Sequence, residues 1–162
     1  MSRLSLALAA SILMMATTPA AAHDPVHHVM AETAVAPEAV PAAAVVEAFH
    51  AALKAGDTVA ALALMAPDVM IFEQGGAERS RDEYAAHHLA GDTAYAAGTE
   101  ETLVRRSGWA EGDVAWIASE GRTTGEFNGR AVDRLTTETM VLRRQADGWR
   151  IHHIHWSSRA PA

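Results

Sequence analysis

Three of the chain's nine histidines stand together near its end, in the stretch "WRIHHIHWSSR" from Trp149 to Arg159. Alternate side chains of a strand share a face, so His153 and His155 point one way with Trp149 and Ile151, while His152 points the other way with Ile154 and Trp156. Two imidazoles at i and i+2 lie roughly 6 to 7 Å apart, close enough to ligate one metal ion or grip one polar ligand. A metal needs further donors, for which Glu73, Glu138, His87 and His88 are the candidates. The sequence has no cysteine, so a divalent metal held by His153, His155, Glu73 or His88 would be zinc, copper, nickel or iron bound through nitrogen and oxygen. No complete ligand motif is present, and the plainer reading keeps both histidines as hydrogen-bonded pocket residues with no cofactor required.

Without a metal, a neutral imidazole is a suitable general base near neutral pH, and a neighbouring carboxylate fixes its tautomer. Glu138 paired with His153 or His155 makes such a dyad, able to abstract a proton beside a carbonyl or to eliminate water. The competing role for Glu138 is a structural salt bridge to Arg122 or Arg134, because an interior charge needs a partner in any case. Tyr84 and His88 share a helix face, as do Glu83 and His87. The first pair is expected inside, with Tyr84 as a hydrogen-bond donor, and the second on the surface. Trp116 and Trp149 lie in segments rich in Ile, Val and Ala and read as core or interface residues.

These side chains need a scaffold, and the hydrophobic pattern supplies one. Val45, Val46, Phe49, Ala52 and Leu53 recur at helical spacing in "AAAVVEAFHAALKAG", which Gly56 is placed to end. "DTVAALALM" predicts a short second helix capped by Asp57, and Ser80 with Glu83 predicts a capping box opening a third at about Arg81. "DVMIFEQGG" reads as a strand closed by a glycine turn. Beyond Gly91 the chain reads as four long strands, "TAYAAGTEETLVRRS", "DVAWIASEGRTTGEF", "AVDRLTTETMVLRRQ" and "WRIHHIHWSS". The turn sequences between them, "SGWAEGD", "NGR" and "ADG", make neighbours antiparallel. Helices followed by a meander give an α+β domain with helices on one face of a curved sheet, leaving a cavity at one end.

The 162 residues suit one domain. Arg3, the apolar run Leu4 to Met15 and the small residues before His23 have the layout of a secretory signal peptide over residues 1–22, which implies a periplasmic or secreted protein with no membrane contact after cleavage. Residues 23–41 read as a flexible Ala/Pro/His tether, in which His23, His27 and His28 could chelate copper. The domain then runs over 42–158, with a tail at 159–162. A net charge of -7 and the lack of a basic run argue against nucleic acid as partner.

The order of segments, the "FEQGG" strand end and the closing "TTETMVLRRQADGWRIHHIHWSS" resemble the SnoaL-like branch of the nuclear transport factor 2-like superfamily. The closing stretch also resembles the association domain of calcium/calmodulin-dependent protein kinases. The resemblance implies a cone-shaped, strongly curved antiparallel sheet packed against three helices of the N-terminal half, a sheet-to-sheet homodimer, and a pocket for a small organic ligand with His153 and His155 turned into it. Where the kinase domains carry a carboxylate-binding arginine, this chain has Met140. The Asp, Tyr and Asp set of steroid isomerases finds no match around Tyr84 and Tyr95. The implied function is small-molecule binding, or alternatively a lyase or isomerase reaction with His153 or His155 as base, Glu138 orienting it and Tyr84 donating. Glu73, His88, Met140 and Trp116 are the expected ligand contacts.

Overall fold

The structure, a computed structural model, describes residues 32–162. The expected leader, and the tether as far as residue 31 with its three histidines, lie outside the described residues. The remainder of the expected tether is built into the domain. Glu32–Val35 forms strand β1, Pro37–Ala39 forms a 3-10 turn, and Ala36 N donates to Gly108 O at 2.9 Å. The cause is apolar: Ala39 is fully buried and Val35 packs against the core.

Helices α1 (Val40–Ala55) and α2 (Thr58–Ala63) follow the apolar spacing. Gly56 ends α1 with φ 71 and Asp57 caps α2 by accepting from Ala60 N, as the turn and cap chemistry requires. After strands β2 (Met65–Glu73) and β3 (Gly76–Glu78), α3 (Arg81–His87) opens with Ser80 Oγ accepting from Glu83 N. The chain then departs from the sequence reading. Instead of a strand from Thr93, a fourth helix α4 runs over Leu89–Gly98. Four alanines give this stretch strong helix propensity, and Thr93 satisfies its hydroxyl on the Leu89 and Ala90 carbonyls. The helices therefore number four among the described residues, where three were expected.

Strands β4 (Thr99–Glu111), β5 (Val114–Phe127), β6 (Arg130–Gln145) and β7 (Gly148–Arg159) form the expected meander. The sheet has seven strands in the order β1-β4-β5-β6-β7-β2-β3. It is mixed, because β1 runs parallel to β4 and β2 runs parallel to β7. All four helices belong to the N-terminal half. Phe49 and Val46 of α1 share a fully buried layer with Ile117, Met140, Leu142 and Ile154 of the sheet, each large side chain contributing about 1.5 to 3 kcal/mol of burial.

Two bulges interrupt the β4–β7 meander. Val104 is unpaired between Leu103 and Arg105 on β4, and His152 is unpaired between Ile151 and His153 on β7. An extra residue reverses side-chain parity beyond it and bends the strand. On β7, Trp149 and Ile151 face the helices before the bulge, and Ile154 and Trp156 face them after it, so His153 and His155 turn outward.

The start of β4 depends on a close backbone approach. A Cβ at Gly125, where φ is +144, would lie 2.5 Å from Gly98 O and 2.8 Å from Thr99 Cα. Neither atom can move without shifting the junction of α4 with β4. Gly125→Ala is expected to lower the unfolding free energy by about 2 kcal/mol or more, read as a shifted urea midpoint. Gly112→Ala, in an equally left-handed but open turn, should lose only about 1 kcal/mol.

Candidate functional site

One polar row crosses the helix-bearing face. Arg106, Ser119, Glu138, Trp156 and Glu73 are successive register partners on β4, β5, β6, β7 and β2. Beneath it lies the apolar layer of Ile117, Met140 and Ile154. Above it, between α1, α4 and the sheet, opens a cavity of about 940 Å³. His50 and Lys54 of α1, Asp92 and Tyr95 of α4, and Glu138 and Trp156 of the sheet all contribute to its wall.

Glu138 is the centre of the row. Its side chain is only 8% exposed, and His50 Nε2 and Trp156 Nε1 both donate to Oε2, each at 2.8 Å. The other oxygen, Oε1, is buried without a partner. Behind the carboxylate, Arg106 donates to Ser119 Oγ at 3.1 Å and to Glu47 at 2.9 Å. A charge removed from water to this depth needs compensation of this kind.

The two acid–base groups move in opposite directions. Burial opposes the His50 imidazolium, but the Glu138 carboxylate outweighs it by charge and hydrogen bond and holds the histidine above its usual range. Burial likewise opposes ionised Glu138, yet His50 first, then the Trp156 indole and Arg106, hold it below the usual carboxylate range. The result is an imidazolium–carboxylate pair in the lining of the cavity, with one carboxylate oxygen buried and unpartnered. A second pair lies on the α3–α4 side. Tyr84, fully buried, donates to Asp92 Oδ2 at 2.8 Å. Burial raises the Asp92 carboxyl, Tyr84's hydrogen bond opposes this, and the nearby Glu73 raises it further.

Only part of the sequence-based set is brought together here. Glu138 and Glu73 line the cavity, and neither Arg122 nor Arg134 pairs with Glu138, since Arg122 binds Asp133 and Arg134 binds Ser158. His153 and His155 are on the opposite face, because the His152 bulge reverses the parity assumed for an even strand. The Phe72 ring sits edge-on to both imidazoles, and His153 Nδ1 donates to Met70 O at 2.9 Å. Tyr84 is core, its hydroxyl engaged by Asp92. His88, expected inside, is 55% exposed and pairs with Glu78. Met140 belongs to the apolar layer, and Trp116 is on the outer face opposite Trp109. The metal candidates His153, His155, Glu73 and His88 are thus distributed over separate surfaces. Arg106 is buried behind the site.

His50 had been given no role. It lies on the buried stripe of α1, following Ala43 and Val46 at helical spacing. An imidazole on an apolar stripe was the available signal. It was outweighed by the three histidines clustered at the other end.

The chain's residues 42–161 match the model of the SnoaL-like domain. Among solved structures, a candidate ketosteroid isomerase from Shewanella frigidimarina is 41% identical, with a TM-score of 0.72 over 76% of this chain and 100% of that one. A candidate calcium/calmodulin-dependent protein kinase II association domain from Xanthomonas campestris is 22% identical, with a TM-score of 0.66 over 85% of this chain and 100% of that one. A candidate dehydratase from Streptomyces avermitilis is 20% identical, with a TM-score of 0.62 over 76% and 97%. The last two likenesses are of fold. A search of curated proteins found no match.

The shifts fix how stability should vary with pH. Glu138's folded value lies below its unfolded one, so its contribution is complete above about pH 4.5 and is lost as pH falls through the folded value. His50's folded value lies above its unfolded one, so its contribution is complete below about pH 6.5 and is lost as pH rises through the folded value. The difference in melting temperature between wild type and His50→Gln should therefore be widest between about pH 4.5 and 6.5 and shrink on both sides. The raised Asp92 acts on both proteins and cancels from that difference.

Proposed function

We propose that this chain, which belongs to the SnoaL-like domain family, binds a small organic molecule in its cavity and moves a proton on it as an isomerase or lyase of carbonyl compounds. The observation that carries this reading is Glu138, a residue of the wall of a ligand-sized cavity whose Oε1 is a buried acceptor without a partner. A carboxylate held from one side by His50 and Trp156 offers its other oxygen in a fixed direction, which is the geometry of a proton acceptor. Protonation of Oε1 leaves the carboxyl group neutral and His50 free to donate from a cationic ring, so the pair can take a proton at one atom and return one at another. Tyr95, whose hydroxyl has no partner among the described residues, is the nearest equivalent of a carbonyl-polarising donor. It replaces Tyr84 in that role.

The ketosteroid isomerase name of the Shewanella protein and the dehydratase name of the Streptomyces protein support the same class of chemistry. The test is exchange of carbon-bound protons with deuterated water across a panel of small ketones, including a β,γ-unsaturated ketosteroid, followed by nuclear magnetic resonance. Wild type should accelerate exchange on at least one member. Glu138→Gln and His50→Gln should each slow it by about 100-fold or more, while His155→Ala leaves it unchanged. Equal rates in wild type and Glu138→Gln would sink the proposal.

The outer face supports self-association. Trp109, Val114, Met70 and Phe72 are all exposed there, Trp109 by 47%. Exposed aromatic and aliphatic groups on one sheet face are the mark of an interface, and the association-domain name of the Xanthomonas protein agrees with it. A homodimer joined through this face should become monomeric in Trp109→Glu with Phe72→Lys, with circular dichroism preserved. Sedimentation at several concentrations would show an unaltered mass if the face is not the contact.

A further inference from the structure

The charged groups of the cavity are unevenly engaged. Every cation at its wall already has a partner. Lys54 donates to Thr99 O at 2.5 Å and to Glu100 at 2.7 Å. Arg134 donates to Ser158 O at 3.2 Å and to its hydroxyl. His50 is held by Glu138. Of the anions, Asp92, Glu100 and Asp133 are engaged by Tyr84, Lys54 and Arg122, but three others are different. Glu73, half-buried, meets only the Gln74 amide at 3.5 Å and has no cationic partner among the described residues. Glu101 reaches over Gly121, its Oε1 2.9 Å from where a Cβ would stand, and forms no ion pair among the described residues. Glu138 Oε1, in a side chain 92% removed from solvent, has no partner of any kind.

The unpaired charge at the cavity wall is therefore that of carboxylates, beside the neutral hydroxyls of Tyr95 and Thr136. Glu73 stands beside Trp156 in register, and a carboxylate next to an indole suits a positive charge through both ion pairing and the aromatic face. Leu53, Ala96, Phe127 and Val132 give the rest of the wall an apolar character. A cavity with low-dielectric walls and unpaired anions concentrates cations and repels anions.

We infer that the ligand of this cavity is a small molecule with an apolar body and a cationic amine, the amine held by Glu73 and the Trp156 ring with further donors directed to Glu138 Oε1. This rests on the cavity being a small-molecule site, and it names the class that the site takes. A carboxylate ligand would meet Glu73 and Glu101 with no free cation to receive it.

Phenethylamine, phenethyl alcohol and phenylacetate share a ring and differ in charge, and their binding to the full chain can be measured by calorimetry. The amine should bind at least about tenfold more tightly than the acid. Glu73→Gln should weaken the amine by about threefold to tenfold while leaving the alcohol unchanged. Added salt should weaken the amine alone. Because Glu73 carries no structural ion pair, the variant should keep the wild-type melting temperature, so a loss of amine affinity reports the contact and not unfolding. Phenylacetate binding as tightly as the amine, or an amine affinity indifferent to Glu73→Gln, overturns the assignment of class and leaves the small-molecule site standing. Failure of all three probes to bind the folded wild-type chain overturns both.

Discussion

The burial of one carboxylate organises this domain. An ionised group at the depth of Glu138 costs several kcal/mol unless other groups compensate it, and those that do so come from distant parts of the chain. His50 arrives on the first helix, Trp156 on the last strand, and Arg106 stands two strands away behind Ser119. The helix α1 cannot slide along the sheet without breaking the His50 contact, and β7 cannot slip by one residue without turning Trp156 away. The apolar layer under the row supplies most of the stability. The carboxylate supplies a register for it, because an apolar contact tolerates small shifts and a hydrogen bond at 2.8 Å does not.

The bulge at His152 is what makes this arrangement available. A regular strand would carry Trp149, Ile151, His153 and His155 on one face, which would place two imidazoles over the core and Trp156 in solvent. With one extra residue the apolar side chains remain inward along the whole strand: Trp149 and Ile151 before the bulge, Ile154 and Trp156 after it. The inward set after the bulge is Ile–x–Trp and the outward set is His–x–His, so burial alone favours the shifted parity. The local sequence Ile-His-His-Ile already contains this information, since two apolar residues three apart cannot share a face of an unbroken strand.

Much of the fold was legible, and the reasons differ by element. Helix α1, the Asp57 and Ser80 caps, the Gly56 stop and the last three strands follow from periodicity and turn chemistry that operate within a few residues. Helix α4 was read as strand because Thr93 and Tyr95 favour strands and Gly91 suggested a break, whereas the alanines and packing against α1 decided otherwise. The parallel pairings of β1 with β4 and β2 with β7 join segments far apart in sequence, and no local signal marks them. At the site, Glu138 was legible because the short turn "ADG" places its strand beside the last one, within reach of that strand's side chains. His50 was overlooked because its partner lies 88 residues away in numbering, as the positions of the pair show. A histidine pair adjacent in sequence drew attention that the folded proximity of His50 and Glu138 does not.

The cavity holds two carboxyl groups whose surroundings drive them apart. Glu138 is stabilised in its charged form by two donors on one oxygen, whereas Asp92, beside Tyr84 and near Glu73, is pushed toward its neutral form. Two acids of the same kind in one enclosure are thereby displaced in opposite directions, one toward charge and the other toward the proton. Burial pushes both carboxyl groups upward; at Glu138 the cationic imidazole overcomes it, whereas at Asp92 the Tyr84 hydrogen bond only opposes it and the nearby Glu73 adds to it. The chemistry of the cavity is thus decided less by the acids themselves than by the helices, α1 and α4, that bring His50 and Asp92 against the sheet.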